Sequence, residues 1–129
     1  LPVMRDNAPG SIVNISSIAG LIASPVFASY NTSKAGVWML TKSTALHCAR
    51  EGIDVRCNSV HPTFVRTPLL DAIGAGTPQE REARLARQIP LGRIAEPDDV
   101  AYAVLYLASD ESRMVTGAEF KLDGGISAM

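Results

Sequence analysis

Apolar and polar positions along the chain divide into short β-branched runs separated by longer helical stretches. "SIVNISS" (11–17) follows the turn pair Pro9-Gly10 and predicts a buried strand. From Ala28 to Glu51 runs a segment of good helix formers without Pro, closed by Gly52 as a C-cap; it is about twice the length of a typical helix. "DVRCNSVHP" (54–62) predicts a second strand ended by Pro62, and "AEFKLDGG" (118–125) a third that closes in a Gly-Gly turn. Two helices are predicted between them. Thr77-Pro78-Gln79-Glu80 reads as a capping box opening a polar helix to about Gln88. Pro97 with Asp98 and Asp99 opens the other, where Val100, Ala101, Ala103, Val104, Leu105, Leu107 and Ala108 supply a wide apolar face. Strand, long helix, strand, helices, strand is the logic of an α/β fold with a parallel sheet covered by helices.

Composition sharpens this modestly. The 129 residues are 47% hydrophobic and 19% charged, as in an ordinary globular domain. A net charge of −1 gives no footprint for nucleic acid or an anionic membrane, so neither is expected as a partner. No apolar run reaches the roughly 18 residues of a membrane span. Two cysteines, Cys48 and Cys57, are too few for a disulfide framework, and a reduced, cytoplasmic setting is expected. The chain opens without Met in what reads as the tail of a helix, which predicts a fragment of a longer product.

The candidate chemistry lies in "SYNTSKAG" (29–36), where Tyr30 and Lys34 are one helical turn apart. With three Tyr and three Lys in the chain, some Tyr has a Lys four residues on in roughly 7% of shuffled sequences, so the pair alone is a weak signal. Its company strengthens it. Ser16 and Ser17 close the preceding strand, and "PTFVRT" (62–67) follows the next one. Both segments emerge at the carboxyl rim of a parallel sheet, where α/β proteins bind ligands. A cation beside a phenol favours its ionised form, which suits general acid/base work. A nearby serine hydroxyl can hold an oxygen on which charge develops.

"SIVNISSIAG", "YNTSK", "NSVHPTFVRTPL" and "GRIAEPDDVAYAVLYLASDESRMVTGAEFKLDGG" together resemble the C-terminal half of a short-chain dehydrogenase/reductase, a Rossmann-like doubly wound sheet. The resemblance covers essentially the whole chain, which would be one partial domain, 1–129. It implies that Tyr30 exchanges a proton with the substrate hydroxyl and that Lys34 primes Tyr30 and binds the nicotinamide ribose. It implies that Ser17 hydrogen-bonds the reacting oxygen. Ser17 fits the family's spacing better than Ser16, and strand alternation sets the two on opposite faces. Pro62, Val65 and Thr67 resemble the segment that contacts the nicotinamide carboxamide. The cofactor would be NAD or NADP, and the substrate a small secondary alcohol or ketone. A 3-oxoacyl thioester is the alternative substrate, and "HPTFVRTPL" leans toward secondary-alcohol and hydroxysteroid dehydrogenases. The extended relatives that act on nucleotide sugars carry a larger C-terminal region.

Thr63 departs from the family, which has Gly there; a positive φ at that position would strain it. The glycine-rich pyrophosphate turn, the residue that selects NAD or NADP and the upstream Asn are not among these motifs. Gly74-Ala75-Gly76 has no third Gly at the right spacing and reads as a loop. The first strand is therefore expected to present an open apolar edge, and this segment alone to be inactive. A rival reading is a non-catalytic remnant that serves as an oligomerisation partner.

Other residues read more plainly. His47, Cys48, Cys57 and His61 lack metal-binding spacing, so no metal is expected. No G-x-S-x-G elbow surrounds a serine, which argues against a hydrolase. A Ser17–His61 pair at the rim is conceivable but lacks an acidic third member. Trp38 and Met39 read as core packing ahead of an interface. Ala35, Gly36 and Ala45 would permit the close helix approach that the family's homodimers and homotetramers imply. Phe64, Leu69, Leu70 and the polar helix 78–88 occupy the family's variable substrate loop, and their apolar start hints at a hydrophobic substrate.

Overall fold

The computed structural model describes residues 1–73 and 75–129, so Gly74 of the Gly74-Ala75-Gly76 loop lies outside the described residues. A short helix α1 (Pro2–Asp6) leads into β1 (Gly10–Ile15), followed by the long helix α2 (Ala28–Arg50) and β2 (Val55–Pro62). Then come α3 (Pro78–Ala86), α4 (Pro97–Ala108) and β3 (Glu119–Leu122). The strands form one parallel sheet in the order β1-β2-β3, with Gly10 opposite Val55 and Ser59 opposite Glu119.

Local chemistry explains the boundaries. α2 ends where predicted: Gly52 has φ +65°, Ile53 N–H donates to the Cys48 carbonyl at 2.9 Å and Gly52 N–H to that of Ala49 at 3.3 Å. Those two bonds satisfy the last carbonyls in a Schellman arrangement. The capping box of α3 forms as read, with the Glu80 carboxylate accepting from Thr77 N–H at 2.9 Å. α3 stops at Ala86, two residues short of the expected end. β1 ends at Ile15, ahead of the serines, because Ser17 caps a 3₁₀ turn at Ile18–Gly20. β3 ends at Leu122, ahead of the expected Gly125. The Asp123 carboxylate accepts from Gly125 N–H at 3.0 Å and Ser127 N–H at 2.9 Å, turning the chain away from the sheet.

The core lies around β2, where Val55, Cys57, Asn58, Ser59, Val60, His61 and Pro62 are buried. β1 is an edge strand, and its last residue Ile15 remains 47% exposed. The wide apolar face expected of α4 is only partly used. Leu107 is fully buried, but Leu105 is exposed. A satellite cluster joins Leu85, Ile89 and Ile94, with Phe64 and Leu70 packed against it. Those last two side chains thus help to hold α3. Among the described residues no helix is long and apolar enough to cross a membrane.

Candidate active site

The carboxyl rim of the sheet gathers the candidate residues. Tyr30 and Lys34 stand on the first turns of α2, Ser17 lies just past β1, and Pro62 ends β2. Lys34 Nζ donates to the Ile15 carbonyl at 3.1 Å and lies 5.7 Å from the centroid of the Tyr30 ring. Tyr30 is 41% exposed and meets Phe27 edge-on, with centroids 6.5 Å apart. Its ring thus leans on one neighbour while remaining accessible to solvent.

The consecutive serines divide their work. Ser16 Oγ donates to the Lys34 backbone carbonyl at 2.8 Å, tying β1 to the second turn of α2. Gly20 completes this seat: a Cβ there would lie 2.8 Å from the Lys34 carbonyl carbon. Ser17 Oγ accepts from Ala19 N–H at 3.1 Å, so an acceptor site is used and its O–H stays available to donate. Strand alternation therefore gives the outcome expected of it. Ser16 faces the helix and Ser17 caps the turn.

His61 was read as a conceivable partner of the Ser17 hydroxyl, and the structure corrects this. His61 is fully buried, and its Nδ1 lies 3.1 Å from the Ser17 backbone carbonyl rather than from the hydroxyl. Its Nε2 lies 2.8 Å from Ser59 Oγ. Burial pushes the imidazole below its ordinary pKa, outweighing the bond to Ser17. Trp38 meets the same ring edge-on at 6.4 Å and carries Lys42 above its own face at 4.8 Å. Trp38 therefore sits half-buried under the rim, as its reading as a packing residue implies.

The loop after β2 runs beside the next element. Val65 forms an isolated parallel bridge with Ala95, and Thr67 precedes the turn Pro68–Ala72. Among the described residues no residue other than Gly has a positive φ, so Thr63 is unstrained in the family's Gly position. Arg66, unremarked in the sequence, ties the loop to both neighbouring helices. It donates through Nε to Glu96 at 2.9 Å and through its guanidinium to Glu82 of α3. No spacing rule pairs residues this far apart, so only the fold reveals them. The small residues of α2 also separate: Ala45 is buried against Gly117, whereas Gly36 faces open space. Burial pushes the Cys57 thiol up to about 11, with Cys48 adding to the effect. Both are buried free thiols.

A nicotinamide cofactor fits the residues present. An ammonium has three donors, and Lys34 uses one on the Ile15 carbonyl, which suits the remainder to a ribose diol. Thr63 Oγ1 is buried without a partner, in the loop that the resemblance assigns to the carboxamide. A separate cavity of about 270 Å³ is lined by Thr63, Lys121 and Asp123 among others, but by none of Ser17, Tyr30 and Lys34.

Comparison with known proteins agrees with this architecture. Residues 1–127 match the family described as Enoyl-(Acyl carrier protein) reductase. The chain is 47% identical over 118 residues to the NADP-dependent (R)-specific alcohol dehydrogenase of Lentilactobacillus kefiri, covering 92% of this chain and 46% of that protein. It is 43% identical over 126 residues to the 3-oxoacyl-[acyl-carrier-protein] reductase FabG of Thermotoga maritima, covering 98% and 49%. The aldohexose dehydrogenase of Thermoplasma acidophilum in ligand-free form superposes with a TM-score of 0.90 at 36% identity, covering 99% of this chain and 52% of that one. The chain spans about half the length of the curated relatives it matches. With its parallel three-stranded sheet and a family match running almost end to end, the chain belongs to the short-chain dehydrogenase/reductase family of oxidoreductases.

Proposed function

We propose that this chain forms the substrate and nicotinamide half of a dehydrogenase that interconverts a secondary alcohol and a ketone. The observation that carries this reading is the exposed Tyr30 phenol with the Lys34 ammonium 5.7 Å from its ring centroid, one turn along the same helix. NAD or NADP, when bound, supplies or accepts the hydride. Tyr30 gives the proton to the carbonyl oxygen during reduction and takes it from the hydroxyl during oxidation. Ser17 donates its O–H to that same oxygen, where negative charge builds as the ketone is reduced. Lys34 stands with its ammonium 5.7 Å from the phenol ring centroid and holds the ribose with its remaining donors. Pro62, Val65 and Thr67 bound the face on which the carboxamide rests.

Reduction of a 3-oxoacyl thioester is the second reading, since it needs the same proton donor and the same oxygen contacts. The 43% identity to the Thermotoga maritima reductase supports it, and the 47% identity to the Lentilactobacillus kefiri alcohol dehydrogenase supports the first. The working protein is proposed to be a homodimer or homotetramer in the cytoplasm, with no nucleic acid or membrane as partner. The decisive experiment assays the complete native protein with each nicotinamide against secondary alcohols, ketones and 3-oxoacyl thioesters. Tyr30→Phe should lower turnover by about 10²-fold or more while sparing cofactor binding. Unchanged turnover would remove Tyr30 from this role, and activity on thioesters alone would select the second reading.

A further inference from the structure

The buried imidazole beneath the rim has a consequence for the serine. Ser17 leaves β1 at its last turn of extended backbone and is held there by its own carbonyl. That oxygen accepts from Gly20 N–H at 3.0 Å and lies 3.1 Å from His61 Nδ1. A carbonyl only accepts, so His61 Nδ1 must carry its hydrogen. In the neutral ring Nε2 is then an acceptor, and Ser59 O–H donates to it across 2.8 Å. Ser59 Oγ has a second neighbour, the Ala118 carbonyl at 3.3 Å, on the strand-entry side of β3. The Ser17 carbonyl thus selects the tautomer, and Ser59 gives its single hydrogen to Nε2 in preference to the longer contact with the Ala118 carbonyl.

We infer that His61 is a positioning residue for the reaction: its Nδ1–H clamps the Ser17 carbonyl and so sets where the Ser17 hydroxyl points. The inference rests on the proposed role of Ser17 as the donor to the reacting oxygen. Three observations make the clamp rigid. His61 is fully buried at the penultimate position of the central strand, so β2 itself fixes its Cα. Trp38 abuts the ring edge-on at 6.4 Å, which limits its rotation. The hydroxyl it serves is tied into the same short turn through Ala19 N–H, so moving the carbonyl moves the hydroxyl. Charged groups reach this ring from two sides: Lys42 from α2, and Glu119 and Lys121 from β3. Glu119 favours a charged ring and the two lysines oppose it. An approach error of order 1 Å can cost about 10²-fold in rate.

The test uses the complete native protein. Nitrogen-15 spectra of the His61 ring at neutral pH should report hydrogen on Nδ1 and a bare Nε2; the opposite tautomer would overturn the inference without any variant. His61→Leu keeps an apolar volume but has no donor, and should lower kcat by about 10²-fold with cofactor Kd unchanged. His61→Asn places an N–H near the Nδ1 position and should recover most of that loss. A folded His61→Leu protein with normal kcat, or a His61→Asn protein as impaired as His61→Leu, would also overturn it. Should His61→Leu fail to fold, the tautomer and the His61→Asn rate decide. A wild-type protein with no hydride transfer on any substrate sinks the functional reading instead, which separates the two failures.

Discussion

Lys34 Nζ reaches back 3.1 Å to the carbonyl of Ile15, the last residue of β1, so the helix that carries the phenol is latched to the strand that presents the serine. One side chain thereby does two jobs. It places a positive charge near Tyr30 and it fixes the distance between α2 and the end of β1. Lys34→Met keeps the aliphatic stem but loses both, and turnover should fall by about 10²-fold or more. Steady-state kinetics on the complete native protein checks this, and a variant with normal kcat and cofactor affinity would refute it.

Gly20 lies against the backbone of the same lysine. A Cβ added there would sit 2.8 Å from the Lys34 carbonyl carbon and 2.9 Å from its oxygen, and backbone atoms cannot swing aside. Gly20→Ala should therefore cost about 1–3 kcal/mol by overpacking. A urea titration reads this as a lowered midpoint; an unshifted midpoint would mean that the turn and α2 separate without strain.

His61 makes stability depend on pH below neutrality. Burial lowers its pKa from the ordinary 6.5, so between the folded and unfolded values the unfolded chain binds more protons. The stability it contributes is full above about 6.5 and is lost as pH falls toward the lower, folded value. Thermal melts should show Tm falling on acidification through this window. The fall should be smaller in His61→Asn, which cannot titrate; an equal fall in both proteins would assign the effect elsewhere.

Arg66 joins the loop after β2 to Glu82 on α3 and to Glu96 ahead of α4. These groups are solvent-exposed, so their attraction is open to screening by salt. Arg66→Gln should free α3 to open, and limited proteolysis should cut faster between residues 66 and 86. About 1 M salt, where the screening length falls to about 3 Å, should move the wild type in the same direction. Equal cutting rates in all three conditions would show that the Phe64 and Leu70 contacts hold α3 without help.

The sequence was informative wherever structure is made by neighbours in the chain. Gly52, the Thr77–Glu80 box and the β-branched runs each act within a few residues, and the corresponding elements formed, although β1, β3 and α3 end a few residues earlier than the residues indicated. The alternation of Ser16 and Ser17 likewise follows from strand geometry alone. Contacts across long separations were not legible. Nothing near His61 reveals that its ring turns toward a backbone oxygen 44 residues earlier, because β1 and β2 must first pair in register. The same holds for Arg66 and Glu96, 30 residues apart. Nor did composition reveal that Phe64 and Leu70 pack beneath a helix.

The two adjacent hydroxyls at the end of β1 owe their separate assignments to parity. Slipping that strand by a single position would turn both to the opposite faces and bring Ile15 or Ile18 into one of the two places. Many side-chain replacements upstream should leave this intact, whereas inserting or deleting one residue between Gly10 and Ser16 would lose one of the two hydroxyls from its place. The length of this strand, more than its composition, is what this placement of the two hydroxyls requires.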